Sequence, residues 1–182
     1  MRAFKAISFS VVLALAACGQ AAAPADADAQ TAGAAASESG EATAAEKNAI
    51  LAAMSLTANA QGQVQNECGD MVEPQFTPVD LGAGVGRTIA FVIGGGPSMA
   101  ACYGDGPLVA LYRNAGGSWS EIYMVRGGMV IVLSTQHRGG NDLAAGGGGF
   151  SFPVSEWNGE TYAFANRQVA DSALGDARFI PN

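Results

Sequence analysis

Apolar residues fall into three regimes along this chain. Between Ile7 and Ala16 they form one short run, Ile-Ser-Phe-Ser-Val-Val-Leu-Ala-Leu-Ala, behind the basic residues Arg2 and Lys5. Between Gly19 and Ala42 no large apolar side chain occurs. Beyond Thr43 the pattern becomes that of a folded domain. Ile50, Leu51 and Met54 share one helical face with Ala53 and Ala58 beside them, and Thr43-Ala44-Ala45-Glu46 has the form of a capping box. These signals predict a helix over about 44–58, frayed before Gly62, whose stripe packs on the domain.

From Val64 onward the period changes to that of strands. The apolar runs are Val64, Phe76 to Val79, Thr88 to Ile93, Leu108 to Tyr112, Trp119 to Val125, Met129 to Ser134, Phe150 to Val154 and Tyr162 to Phe164. Each is bounded by Gly, Pro, Asn or Asp, as hairpin-connected strands require. Thr88 to Ile93 is almost continuously apolar and is assigned as the central strand. The mixed, polar stretch from Arg167 to Asn182 reads as a loosely packed tail. The fold class is therefore mainly β: a small antiparallel β domain of two hairpin-type repeats with one N-terminal helix, after a disordered tether.

Composition narrows the function classes. The 182 residues carry a net charge of −7 and no run of Lys or Arg, which argues against nucleic acid as a ligand. Loss of Arg2 and Lys5 with the first 17 residues leaves seven basic against sixteen acidic side chains, a net of −9.

The leader has the plan of a secretory signal, and its apolar run of about ten residues is too short to span a bilayer permanently. Leu15-Ala16-Ala17-Cys18 closes it and resembles the lipobox of bacterial lipoproteins. The resemblance implies cleavage after Ala17, lipidation of Cys18, and attachment to a membrane of the cell envelope. Gly19 follows the cysteine, which favours the outer membrane, facing the periplasm. Residues 1–17 are then the signal peptide, 18–42 the lipidated start and tether, and 43–182 the β-rich domain. The tether is Ala, Ser and Asp-rich, cannot bury enough surface to order, and reaches roughly 25–30 Å as a flexible coil.

Cys68 and Cys102 remain, in a compartment where disulfides persist. A bridge would close a loop of about 35 residues and contribute roughly 3–4 kcal/mol. Two free thiols or a metal site are the alternatives. The one histidine, His137, does not stand at ligand spacing from either cysteine, so no metal is expected.

Two segments share a plan. One runs from Val79-Asp80-Leu81 to Tyr112 and Trp119, and the other from Asn141-Asp142-Leu143 to Trp157 and Tyr162; both close with an aromatic, a Gly-containing turn and a second aromatic. Such aromatics pack across a hairpin. The plan resembles the repeat of FG-GAP and VCBS-type proteins, with small secreted β-repeat proteins nearer still. Calcium-binding repeats of that class carry an Asp/Asn-rich loop, whereas Asp80 and Asp142 each stand without a second carboxylate beside them. Both read as turn caps.

No motif names a reaction. Gly82-Ala83-Gly84-Val85-Gly86 lacks the last Gly of a dinucleotide fingerprint and precedes a strand, and Gly-Lys-Ser or Gly-Lys-Thr is absent. Ser134, His137 and Asp142 lie in one hairpin-like stretch with no nucleophile elbow. No catalytic residue and no cofactor is expected. Tyr112, Trp119, Trp157 and Tyr162 form a candidate binding surface for a glycan or an envelope protein, with core filling as the competing use. The expectation is a non-catalytic, lipid-anchored envelope protein, with an inhibitor of a cell-wall lytic enzyme or a periplasmic hydrolase as alternatives.

Overall fold

The computed structural model describes residues 40–94, 102–146 and 149–182; the leader, Cys18 and the tether up to residue 39 lie outside them, while Ala42, expected to end the tether, is buried in the core. Helix α1 (Ala44–Ala53) opens the domain. Thr43 Oγ1 accepts from Glu46 N, and Glu46 Oε2 accepts from Thr43 N at 2.8 Å, so the capping box is formed. The helix ends five residues short of the expected Ala58. Ser55 turns left-handed at φ 58°, and its N–H and that of Leu56 bond back to Ala52 O and Leu51 O. That pattern is a Schellman stop with Ser in the position usually given to Gly.

Among the described residues, eleven strands form three antiparallel sheets. β1 (Val64–Gln65) and β2 (Met71–Val72) make a short hairpin. The first large sheet is a meander of β3 (Gln75–Val79), β4 (Thr88–Ile93), β5 (Leu108–Ala115) and β6 (Ser118–Arg126). The second is a meander of β7 (Met129–His137), β8 (Gly140–Gly146), β9 (Ser151–Trp157) and β10 (Tyr162–Ala170). β11 (Arg178–Ile180) is added beside β7.

Strand alternation sorts the core into layers. Ala90, Val92, Val109 and Leu111 of one sheet meet Val130, Val132, Leu143 and Trp157 of the other. The opposite face of β4 and β5, with Ile89, Phe91, Ile93, Leu108 and Ala110, packs under Ile50 and Leu51 of the helix and Val64 and Val72 of the small hairpin. β4 is thus covered on both faces, which is why its sequence is almost wholly apolar. The outer face of the second sheet carries Ile131, Leu133, Ala144, Phe152 and Val154, covered by Val169, Leu174 and Ala177.

The C-terminal stretch is therefore no loose tail. Arg167 to Ala170 belong to β10, and β11 buries Ile180 between the sheets. Two glycines explain an unexpected strand, β8. A Cβ on Gly140 would stand 2.8 Å from Trp157 Cβ and from Val85 Cγ2, and one on Gly146 would enter the Phe152 ring. The glycines of Gly82 to Gly86 serve a similar end: Gly84 N donates to Gly139 O at 2.9 Å, backbone against backbone.

Candidate functional site

Polar side chains concentrate on the outer face of the second sheet, near the β7–β8 and β9–β10 turns. Two register shifts assemble them. In β7, Val132 and Gln136 oppose Leu143 and Asn141, so four positions span two. In β10, Phe164 and Gln168 oppose Ser155 and Pro153 in the same way. Each shift inserts two residues and so preserves alternation, but it draws the side chains that follow back along the sheet by roughly 6–7 Å. His137 and Arg167 are thereby brought onto Asp142 of β8 and Glu156 of β9.

Asp142 is 0% exposed, and its carboxylate takes three donors. Thr135 Oγ1 and Arg167 Nη2 each lie 2.6 Å from Oδ2, and His137 Nδ1 lies 2.7 Å from Oδ1. Glu156 Oε1 lies 3.0 Å from Arg167 Nε and 3.4 Å from His137 Nε2. A buried carboxylate is tolerated only when its lone pairs are met by donors, ideally charged ones, and that condition holds here. Beneath, Tyr162 donates to Asn141 O at 2.9 Å; burial first, and the Asp142 charge second, push its hydroxyl well above the ordinary tyrosine range.

His137, Asp142 and Glu156 offer three ligand atoms within 4.8 Å of one another. The donor set nonetheless suits no metal ion, because the Arg167 guanidinium is bonded to both carboxylates and already supplies the positive charge there. The Asp142–His137 pair has the geometry that orients a general base, but the ring's other nitrogen faces Glu156 and not Ser134. Asp142 itself caps no turn, contrary to expectation; it is the buried centre of this network. Asp80 does cap one, accepting from Gly82 N at 2.8 Å.

Where the network reaches solvent, a cavity of about 260 Å³ is lined by His137, Arg138, Glu156, Asn158 and Phe164. Phe164 is 61% exposed there.

The four aromatics expected to form a binding surface do not do so. Tyr112, Trp157 and Tyr162 are buried, and Trp119 is half-buried against the helix-side core. Trp157 and Tyr162 pair directly across their hairpin with ring centroids 5.3 Å apart. Tyr112 instead faces Glu121, because the register shifts between Leu111 and Tyr112. Burial chiefly, with the Glu121 charge second, raises the Tyr112 hydroxyl to about 12. Cys68 and Cys102 form a disulfide, with Cα atoms 5.6 Å apart.

His137 and Asp142 share one stretch of sequence, but the network they join has no linear motif, because its members lie on four strands and meet only once register is known. Thr135-x-His137 and Val154-x-Glu156 on alternating positions are the only linear signal. Fold and site together define, over the described residues, a mainly β domain of three antiparallel sheets with a half-exposed charged network on one outer face. Comparison with known protein families, curated proteins and solved structures finds no match to this chain.

Proposed function

We propose that this chain is a lipoprotein of the cell envelope, held at the outer membrane and facing the periplasm through a lipid on Cys18, with its β domain in a non-catalytic binding role. Leu15-Ala16-Ala17-Cys18, behind a basic start and a short apolar run, carries the reading. The Cys68–Cys102 disulfide supports it, since such bridges persist in oxidising compartments. The composition of the stretch after Cys18, without a large apolar side chain up to Ala42, supports its use as a spacer. The His137 ring is bonded to Asp142 through Nδ1 and turns Nε2 toward Glu156 instead of a hydroxyl nucleophile, which supports a binding role over hydrolysis. The exposed Phe164, beside Arg138, Asn158 and Glu156, is the face that fits a glycan or envelope protein partner.

The test is metabolic labelling with an alkyne fatty acid, followed by membrane fractionation of the wild-type chain and Cys18→Ala. The expected result is label and membrane association in the wild type and loss of both in the variant. An unlabelled wild type, or a variant that stays with the membrane, overturns the reading. Pull-down from cells making the lipidated chain, compared with Phe164→Ser, then separates the binding role from a purely structural one.

A further inference from the structure

Asn158-Gly159 is the single Asn-Gly pair in the sequence, and it stands at the exposed tip of the β9–β10 turn. Asn158 Oδ1 accepts from Glu160 N at 2.8 Å and from Thr161 N at 2.9 Å. Those two donors fix which end of the amide is the oxygen, because the flipped amide would turn its NH₂ toward two N–H groups. They also fold the side chain over the peptide bond that follows, toward the Gly159 nitrogen. Asn158 Nδ2 has a weaker hold, donating to Thr161 Oγ1 at 3.4 Å. On the main chain, Asn158 O accepts from Arg138 Nη1 at 2.9 Å, while among the described residues no acceptor takes the Gly159 N–H. Gly159 carries no side chain to shield that nitrogen, and its φ of 111° is one that other residues rarely adopt.

These contacts suit an attack of the Gly159 nitrogen on Asn158 Cγ. As that bond forms, negative charge develops on Oδ1, where two backbone N–H groups already point. Removal of the Gly159 proton puts charge on the nitrogen and, through the resonance of the peptide, on Asn158 O, to which the Arg138 guanidinium donates. Among the described residues Arg138 makes no ion pair, so no carboxylate competes for its charge there. Arg113 Nη1, 3.5 Å from Gly159 O, brings a second cation to the same turn. The turn is open to water, which the second half of the reaction consumes.

We infer that Asn158 is a site of spontaneous deamidation in the folded protein, promoted by Arg138. The Gly159 nitrogen bonds to Asn158 Cγ as the Cγ–Nδ2 bond breaks, and the Gly159 proton departs on the amine, which leaves as ammonia. The cyclic imide so formed takes up one water, which opens it at either carbonyl and leaves aspartate or isoaspartate in place of Asn158. Nothing is oxidised or reduced. Asn158 lines the Phe164 cavity, so the reaction puts a new carboxylate on that face. The modification depends neither on lipidation nor on any ligand.

The test incubates the purified full chain in mildly alkaline buffer and follows it by peptide mapping with mass spectrometry, beside Arg138→Gln and Asn158→Gln. The wild type is expected to gain about 1 Da in the peptide that holds Asn158 before any other asparagine changes, with the isoaspartyl form resolved by its separate elution. Arg138 is exposed, so Arg138→Gln should fold, and its reaction should be slower by roughly threefold or more. Asn158→Gln should show no gain at that peptide. In urea the wild type and Arg138→Gln should react alike, because the Arg138 bond exists only in the fold. No gain at Asn158, earlier gain at another asparagine, equal rates for the folded wild type and Arg138→Gln, or a difference that persists in urea overturns the inference.

Discussion

Glu46→Gln tests the clasp that joins the start of the domain to its central strand. Glu46 accepts from Arg87 at both oxygens, Oε1 to Nε at 3.1 Å and Oε2 to Nη2 at 3.2 Å, while Arg87 Nη2 also reaches Gly40 O and Glu41 O. The side chains are 11% exposed for Arg87 and 20% for Glu46. The pair therefore sits between two limits: about 0.2–1 kcal/mol for an exposed ion pair and about 3–5 kcal/mol for breaking a buried one. Glutamine can still accept from Thr43 N, so the capping half of the interaction survives. Arg87 Nη1 already has no partner and cannot compensate. We expect a loss of about 2 kcal/mol at neutral pH, or about 4–8 °C in Tm.

The pH dependence supplies the diagnostic. Bonding to Arg87 holds the Glu46 carboxyl below its ordinary 4.5, so the stability it contributes is complete above that value and is lost as pH falls through the lower folded value. Urea unfolding at about pH 7 and about pH 3 should show the gap between wild type and variant closing in acid. A gap below about 0.5 kcal/mol at neutral pH, or one that persists unchanged in acid, refutes the reasoning.

Three further outcomes are expected. Asp142→Ala removes three charge-assisted or hydroxyl hydrogen bonds but leaves Arg167 and His137 open to water, and should cost about 1.5–3 kcal/mol, against under about 0.5 kcal/mol for an exposed acid such as Glu160→Ala; chemical denaturation compares them. Thiol trapping with intact mass should find Cys68 and Cys102 unreactive, and Cys68→Ser with Cys102→Ser should lower stability by roughly 3–4 kcal/mol. Tyr103, Tyr112, Tyr123 and Tyr162 are all raised, chiefly by burial, so absorbance at alkaline pH should show less phenolate in the folded chain than in urea. Because raised tyrosines favour the neutral folded state, stability should decline as pH climbs past 10, read by unfolding curves in that range.

Much of the fold was legible in the linear pattern, for local reasons. A capping box acts over four residues, so the start of α1 at Thr43 could be read directly. Thr88–Ile93 had to be a central strand because a segment covered on both faces must be apolar throughout. β8 was hidden because Gly140-Asn141-Asp142-Leu143-Ala144-Ala145-Gly146 has the composition of a loop. Its glycines leave room for the Trp157 and Phe152 rings, which belong to another strand. The end of α1 is not legible in the sequence, because Ser55 gives no sign that it will turn left-handed.

The sequence by itself determined the strand class, the capped helix and the cysteines available to bridge, since each depends on neighbours in the chain. Tertiary structure decided everything that depends on register. It turned Tyr112, Trp157 and Tyr162 inward, because alternation on a paired strand assigns each side chain to a face. It also brought Asp142 under Arg167. Partners 25 residues apart have no signature until the strands are paired.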